Sequence, residues 1–213
     1  MSIRRRPLLG LAAAGLVAPA LARAQGQTSA QALPATAVQT AAWESPRTLG
    51  SAEARNEAQE FFSLTCTHCA AFAQETFPAI EKDLIATGKL RWVFRDFPLD
   101  RVALQAAMVA RALPPERYAP FVLALLASQD RWAFAQGADP RDEIWKMTAL
   151  AGMSHATFDT AWNDTALRDW ILAQQAKDQK QYGIDATPSF LINGHKQSGE
   201  MSYEEFVKLL PSA

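Results

Sequence analysis

The chain has 213 residues, with 21 basic against 22 acidic side chains and a formal net charge of -1. That balance leaves no positive excess for nucleic acid to neutralise. Hydrophobic residues make up 49 %, enough for one core, so the length fits one domain or one domain with a large insertion. Two cysteines are too few to staple a disulfide scaffold, and apolar packing must hold the fold.

Residues 1–24 read as a cleaved export signal. Arg4, Arg5 and Arg6 precede a short apolar run from Leu8 to Ala22, and Ala22-Arg23-Ala24 fits a small-x-small cleavage site. The run contains Pro19 and falls short of the roughly 20 residues a bilayer span needs. The consecutive arginines resemble a twin-arginine signal, although the usual aromatic position is not matched. The segment carries four Arg and no acid, so its removal leaves 17 basic against 22 acidic residues. That surplus of acid argues against an anionic membrane surface as partner, and no membrane insertion of the mature chain is expected. Residues 25–48 are rich in Ala, Gln and Thr, contain Pro34 and Pro46, and read as a flexible arm.

The folded part is predicted to begin near residue 49. A short strand is expected over Gln59 to Phe62, with the chain turning helical at Cys66. Arg55 to Gln59 is too polar to match a buried central strand. Phe72, Thr76, Ile80 and Leu84 recur at helical spacing, Pro78 should kink the helix, and Gly88 should stop it. Leu90 to Phe94 is a good strand. Residues 100–182 then carry almost no strand signal. Helices are predicted over Arg101 to Leu113, Glu116 to Ser128, Asp139 to Leu150, Ser154 to Asn163 and Asp164 to Tyr182. Asp139-Pro140 is an N-cap followed by proline at the first helical position. Strand signals return at Ser189 to Ile192, Asn193-Gly194 marks a hairpin turn, and a short strand follows near Lys196 to Gly199. Ser202 and Glu205 form a capping box for a terminal helix. The order is β-α-β, a helical block, then β-β-α.

Cys66 and Cys69 sit where a strand hands over to a helix. The first turn of a helix offers unpaired N–H groups and a partial positive charge. A thiolate there is stabilised, and its pKa falls from about 8.5 toward 7 or below. Cys69, one turn on, can close a disulfide with it. His68 adds a donor near the Cys66 sulfur. Each pKa unit of stabilisation is worth about 1.4 kcal/mol, or about 30 mV in a two-electron couple. A nucleophilic sulfur with a resolving partner is what thiol–disulfide exchange needs, and no cofactor is called for.

Other uses of the pair stand beside this one. A closed zinc site wants four ligands, and only Cys66, Cys69 and His68 are close in sequence, so no metal site is assigned. Covalent haem needs CxxCH, and residue 70 is Ala. A purely structural Cys66–Cys69 disulfide would close too small a loop to add much stability. Read alone, Glu60 is a strand-edge acid and Pro188 a structural proline. His155 and His195 read as surface residues, and Trp132, Trp145, Trp162 and Trp170 as core.

The segment Glu60-Phe61-Phe62-Ser63-Leu64-Thr65-Cys66-Thr67-His68-Cys69 resembles the active-site segment of DsbA-like thiol–disulfide oxidoreductases of the thioredoxin superfamily. Tyr182 to Phe190, YGIDATPSF, resembles that family's second signature, and KLRWVFRDFPL from Lys89 to Leu99 resembles its next strand and loop. The resemblance covers about Leu49 to Leu210. It implies a thioredoxin-like α/β fold, over 49–99 and 183–210, with an all-helical insertion at 100–182. It implies that Cys66 is the attacking sulfur, Cys69 the buried one and His68 a tuning residue. Glu60 becomes a buried acid relaying a proton for Cys69. Thr187 and Pro188 become a cis-peptide pair docking an extended substrate, with Thr67 beside them. Reduced exported proteins would be the clients, in the periplasm, and a membrane oxidase would recharge the enzyme. The family's dipeptide between the cysteines is often Pro-His; here it is Thr67-His68. An isomerase or reductase of the same compartment, or a copper- or peptide-binding module on the same fold, are the alternatives.

Overall fold

The computed structural model describes residues 42–211. The expected signal and residues 25–41 of the expected arm lie outside them. Five strands form one sheet: β1 (Arg47–Leu49), β2 (Asn56–Phe62), β3 (Leu90–Asp96), β4 (Ser189–Ile192) and β5 (His195–Ser198), in the order β1-β3-β2-β4-β5. β2 and β3 are parallel, and the remaining pairs are antiparallel. The fold is thioredoxin-like α/β.

The crossover from β2 to β3 runs through α1 (Thr67–Glu75), α2 (Phe77–Ile80) and a π-helical turn at Glu81–Ile85. The expected single kinked helix is thus three pieces. Pro78 has no N–H to give the carbonyl four residues earlier, and its ring crowds that turn. The chain breaks at Thr76, whose hydroxyl donates instead to the carbonyl of Met201, 2.8 Å away. Between β3 and β4 the described chain is helical: α3 (Arg101–Ala112), α4 (Pro115–Leu126), α5 (Gln129–Trp132), α6 (Pro140–Leu150), α7 (His155–Asn163) and α8 (Thr165–Tyr182). The predicted cap at Asp139 is in place, and the helices expected from Ser154 and Asp164 prove to be capped by those same residues. Each of the three accepts from the first turn of the helix it opens. Gly183 closes α8 in the left-handed region at φ 65. Asn193 and Gly194 both have positive φ, as a two-residue hairpin turn of this hand requires. The capping box of Ser202 and Glu205 opens α9 (Tyr203–Lys208). No helix among the described residues is long and apolar enough to cross a membrane.

Two further sequence expectations are corrected. The strand expected from Gln59 begins at Asn56 and is central, between β3 and β4. Its polar residues are matched by partners distant in sequence. Asn56 donates to the Lys89 carbonyl and accepts from the Asn193 amide, and Glu57 pairs with Arg91 at 2.8 Å. Residues 42–48, assigned to a flexible arm, are built into the fold. Trp43 and Arg47 are buried, and β1 pairs antiparallel with β3.

The core gathers on Trp92, which is fully buried against Phe72, Phe77, Phe190 and Phe206. Trp132 is buried, whereas Trp145, Trp162 and Trp170 are only partly covered. His155 and His195 are at the surface. A polar cluster fastens the helical block to the sheet edge. Asp96 accepts from Arg111 Nε at 2.5 Å and from the Tyr118 hydroxyl at 2.7 Å. Arg111 also donates to the carbonyls of Trp43 and Ser45, and Arg47 donates to the Arg111 carbonyl. Both guanidinium groups lie 5.3 Å from the Tyr118 ring centroid. Removing one member of a buried pair leaves its partner's charge uncompensated. Arg111→Leu should therefore lose about 3–5 kcal/mol in urea unfolding, with the 42–49 segment exposed to protease.

Candidate active site

Cys66 is the N-cap of α1, with φ -82 and ψ 120. The turn before it is closed by its own N–H, which donates to the Ser63 carbonyl at 3.1 Å. This extended conformation leaves its side chain facing the open end of the helix, and Sγ accepts from the Cys69 N–H at 3.4 Å. Both cysteines are free thiols. Cys66 is 8 % exposed and Cys69 is 0 % exposed, so only the first sulfur reaches the surface.

The Thr187–Pro188 peptide is cis and stands directly opposite. In the thiol form Cys66 Sγ donates to the Thr187 carbonyl at 3.3 Å. Pro188 starts the segment whose next residue, Ser189, opens β4, and its carbonyl accepts from the Gly199 N–H. The sheet thus brings the CxxC turn, which follows β2, to the loop that precedes β4, its antiparallel neighbour. Thr67 is exposed at the first position of α1.

The two sulfurs are driven apart in acidity. Cys66 is lowered to about 5. The largest cause is the hydrogen bond from the Cys69 thiol, opposed by the partial burial of the sulfur; the Thr187 hydroxyl and the N–H groups of Cys69 and His68 add to the stabilisation. That hydroxyl is buried and is committed to no other group. Cys69 is pushed far up, first by burial and then by spending its thiol proton on Cys66. Glu60 is buried on the central strand and not at an edge. Burial pushes it up to about 8, with the Trp92 indole offsetting part and the charge of Cys66 adding to it. Glu60 Oε1 and Trp92 Nε1 both lack a conventional partner. The charge on Glu60 is in turn felt at Cys69.

His68 reaches Cys66 through its backbone N–H. Its imidazole is exposed and turns to Glu200, with Nδ1 at 3.3 Å from Oε2. Nothing in the local sequence marks Glu200, which precedes α9. Two more supports come from the helical block. Thr65 donates to Asp100, the N-cap of α3, at 2.6 Å, and Gln129 of α5 donates to the carbonyls of Leu64 and Cys66. These partners are 35 to 65 residues away, beyond any spacing rule. Among the described residues no group of three His, Cys, Asp or Glu side chains is placed to hold a metal ion.

Comparison with known proteins agrees with this geometry. A family model described as Thioredoxin matches residues 43–211. A Rickettsia typhi protein provisionally named a protein-disulfide oxidoreductase is 31 % identical, over 68 % of this chain and 54 % of its own length. The thiol:disulfide interchange protein DsbA of Dickeya dadantii is 31 % identical over 63 % of this chain and 64 % of its own. The chain therefore spans roughly half to two thirds of the curated relatives it matches. The crystal structure of Wolbachia pipientis alpha-DsbA1 superposes with a TM-score of 0.72 at 30 % identity, covering 78 % of this chain and 89 % of that one. With its helical block, its CxxC turn and its cis proline, the chain belongs to the thioredoxin family, in the DsbA-like branch.

Proposed function

We propose that the chain is an exported protein thiol–disulfide oxidoreductase working as an oxidase in the periplasm. In the oxidised form a client thiolate attacks Cys66 Sγ, the Cys66–Cys69 bond breaks, and its electron pair leaves on Cys69. Glu60, protonated at neutral pH, supplies the proton that Cys69 then holds. A second client thiolate attacks the client sulfur of the mixed disulfide. The client leaves with its own disulfide, and Cys66 departs as the thiolate that its donors stabilise. Electrons pass only between sulfur atoms, so no cofactor takes part. The extended client lies along the Thr187–Pro188 backbone with Thr67 and His68 at the rim. A membrane oxidase returns the enzyme to the disulfide form. The basic and apolar character of residues 1–24 supports export.

The observation that carries this reading is the split between the two sulfurs. A Cys66 held near 5 favours the reduced form at pH 7 by about 3 kcal/mol relative to an ordinary thiol. In a two-electron couple that is about 60 mV, which makes the disulfide oxidising toward clients. Equilibration of the mature protein in glutathione buffers should give a potential about 50 mV above the roughly -270 mV of thioredoxin, whose own nucleophile lies near 7. A value at or below thioredoxin's would instead mark a reductase. Mass spectrometry of the exported protein should show a new N-terminus at Gln25.

The buried acid gives a second test. Glu60 has an ordinary value of 4.5 when unfolded and about 8 when folded. Its burial costs nothing below pH 4.5, and the cost grows as pH rises toward 8. Glu60→Gln should therefore be more stable than the parent by up to about 3 kcal/mol at pH 7. The two should converge near pH 4.5, and the variant should turn over clients more slowly.

A further inference from the structure

Gln129 is 6 % exposed and lies on α5, a four-residue helix in the block that faces the CxxC turn. Its Nε2 donates to the Leu64 carbonyl at 2.8 Å and to the Cys66 carbonyl at 2.9 Å. Both acceptors are carbonyls, so only the amide nitrogen can serve them, one hydrogen to each. The Leu64 carbonyl has no other partner among the described residues, and the Cys66 carbonyl otherwise accepts only the first bond of α1, from Ala70. Trp132, on the same short helix, donates to the Leu125 carbonyl at 2.8 Å and makes no hydrogen bond to the turn.

We propose that Gln129 is a positioning residue that holds the Leu64–Cys66 turn in register and thereby sets the reactivity of the Cys66 sulfur from the helical block. The carbonyl of Cys66 belongs to the peptide that leads into α1. Pinning it fixes the Cys66 backbone at ψ 120, the setting in which the N–H groups of His68 and Cys69 face Sγ. The carbonyl of Leu64 fixes the entry to the same turn. One planar amide thus clamps the peptides on both sides of the nucleophile. A freed clamp would leave a buried carbonyl unpaired and let the turn relax toward water. The sulfur would then lose alignment with its donors. The helical block becomes part of the chemistry through this contact, although none of its side chains meets Cys66 Sγ by hydrogen bond. The inference rests on the exchange function proposed above.

The test is a pH titration of thiolate absorbance near 240 nm in the reduced full-length mature protein, with urea unfolding run alongside. Gln129→Met keeps the length and apolar bulk and removes both donors. Its Cys66 midpoint should rise by about one unit, the equivalent of one hydrogen bond, and its disulfide should become about tenfold less oxidising against glutathione. Trp132→Phe removes a buried donor from the same helix without touching the turn. It should lose stability and keep the parent midpoint. Should Gln129→Met not fold, Gln129→Asn, one methylene too short to span both carbonyls, should give the same upward shift. The inference is overturned if the Gln129 variants titrate with the parent, or if Trp132→Phe shifts as far as they do. A parent midpoint near 8.5 overturns the exchange reading itself, and this inference with it.

Discussion

Cys66 carries its charge because several donors converge on one sulfur that water barely reaches. The Cys69 thiol, the Thr187 hydroxyl and two backbone N–H groups supply the field, and burial works against them. The donors come from two places far apart in the chain. Three belong to the first turn of α1, and one belongs to the loop before β4. The sheet brings these places together, since β2 delivers the turn and pairs with β4. Everything that fixes the β2–β4 register therefore also fixes the acidity of the sulfur. The same geometry leaves Cys69 neutral and sealed, so the pair is asymmetric by construction.

That asymmetry is held at a cost in stability. Glu60 sits within the sheet with an orphaned carboxyl oxygen, raised by burial to about 8. An apolar side chain there would pack without this penalty. The charged pair of Asp96 and Arg111 is a different case. Its members satisfy each other, Tyr118 and the backbone of the 43–47 segment. One buried acid is left poised and the other is tied down, and only the first lies within electrostatic reach of the cysteines.

Much of this was legible in the residues. The CxxC spacing with a distant Thr-Pro carried the chemistry, and local cap signals at Asp139 and Ser202 marked two of the helix starts. Local rules failed where tertiary partners decide. Asn56 and Glu57 look unfit for a central strand until Lys89, Arg91 and Asn193 are seen beside them. Arg47 reads as part of a loose arm until it stacks on Tyr118. The imidazole of His68 was expected near the sulfur, yet Glu200 draws it away, and the backbone N–H of His68 makes the contribution instead. Neither Glu200 nor Gln129 stands in any motif. Their roles exist only across the fold.

The central claim is that one sulfur is ionised by its neighbours while the other is kept protonated. Carbon-13 labelling of both cysteine Cβ atoms in the reduced protein reads the two ionisations separately by NMR. The account predicts a Cys66 step near pH 5 and no Cys69 step at any pH where the protein stays folded. A Cys66 step near the free-thiol value of about 8.5, or two cysteines titrating together, would contradict it.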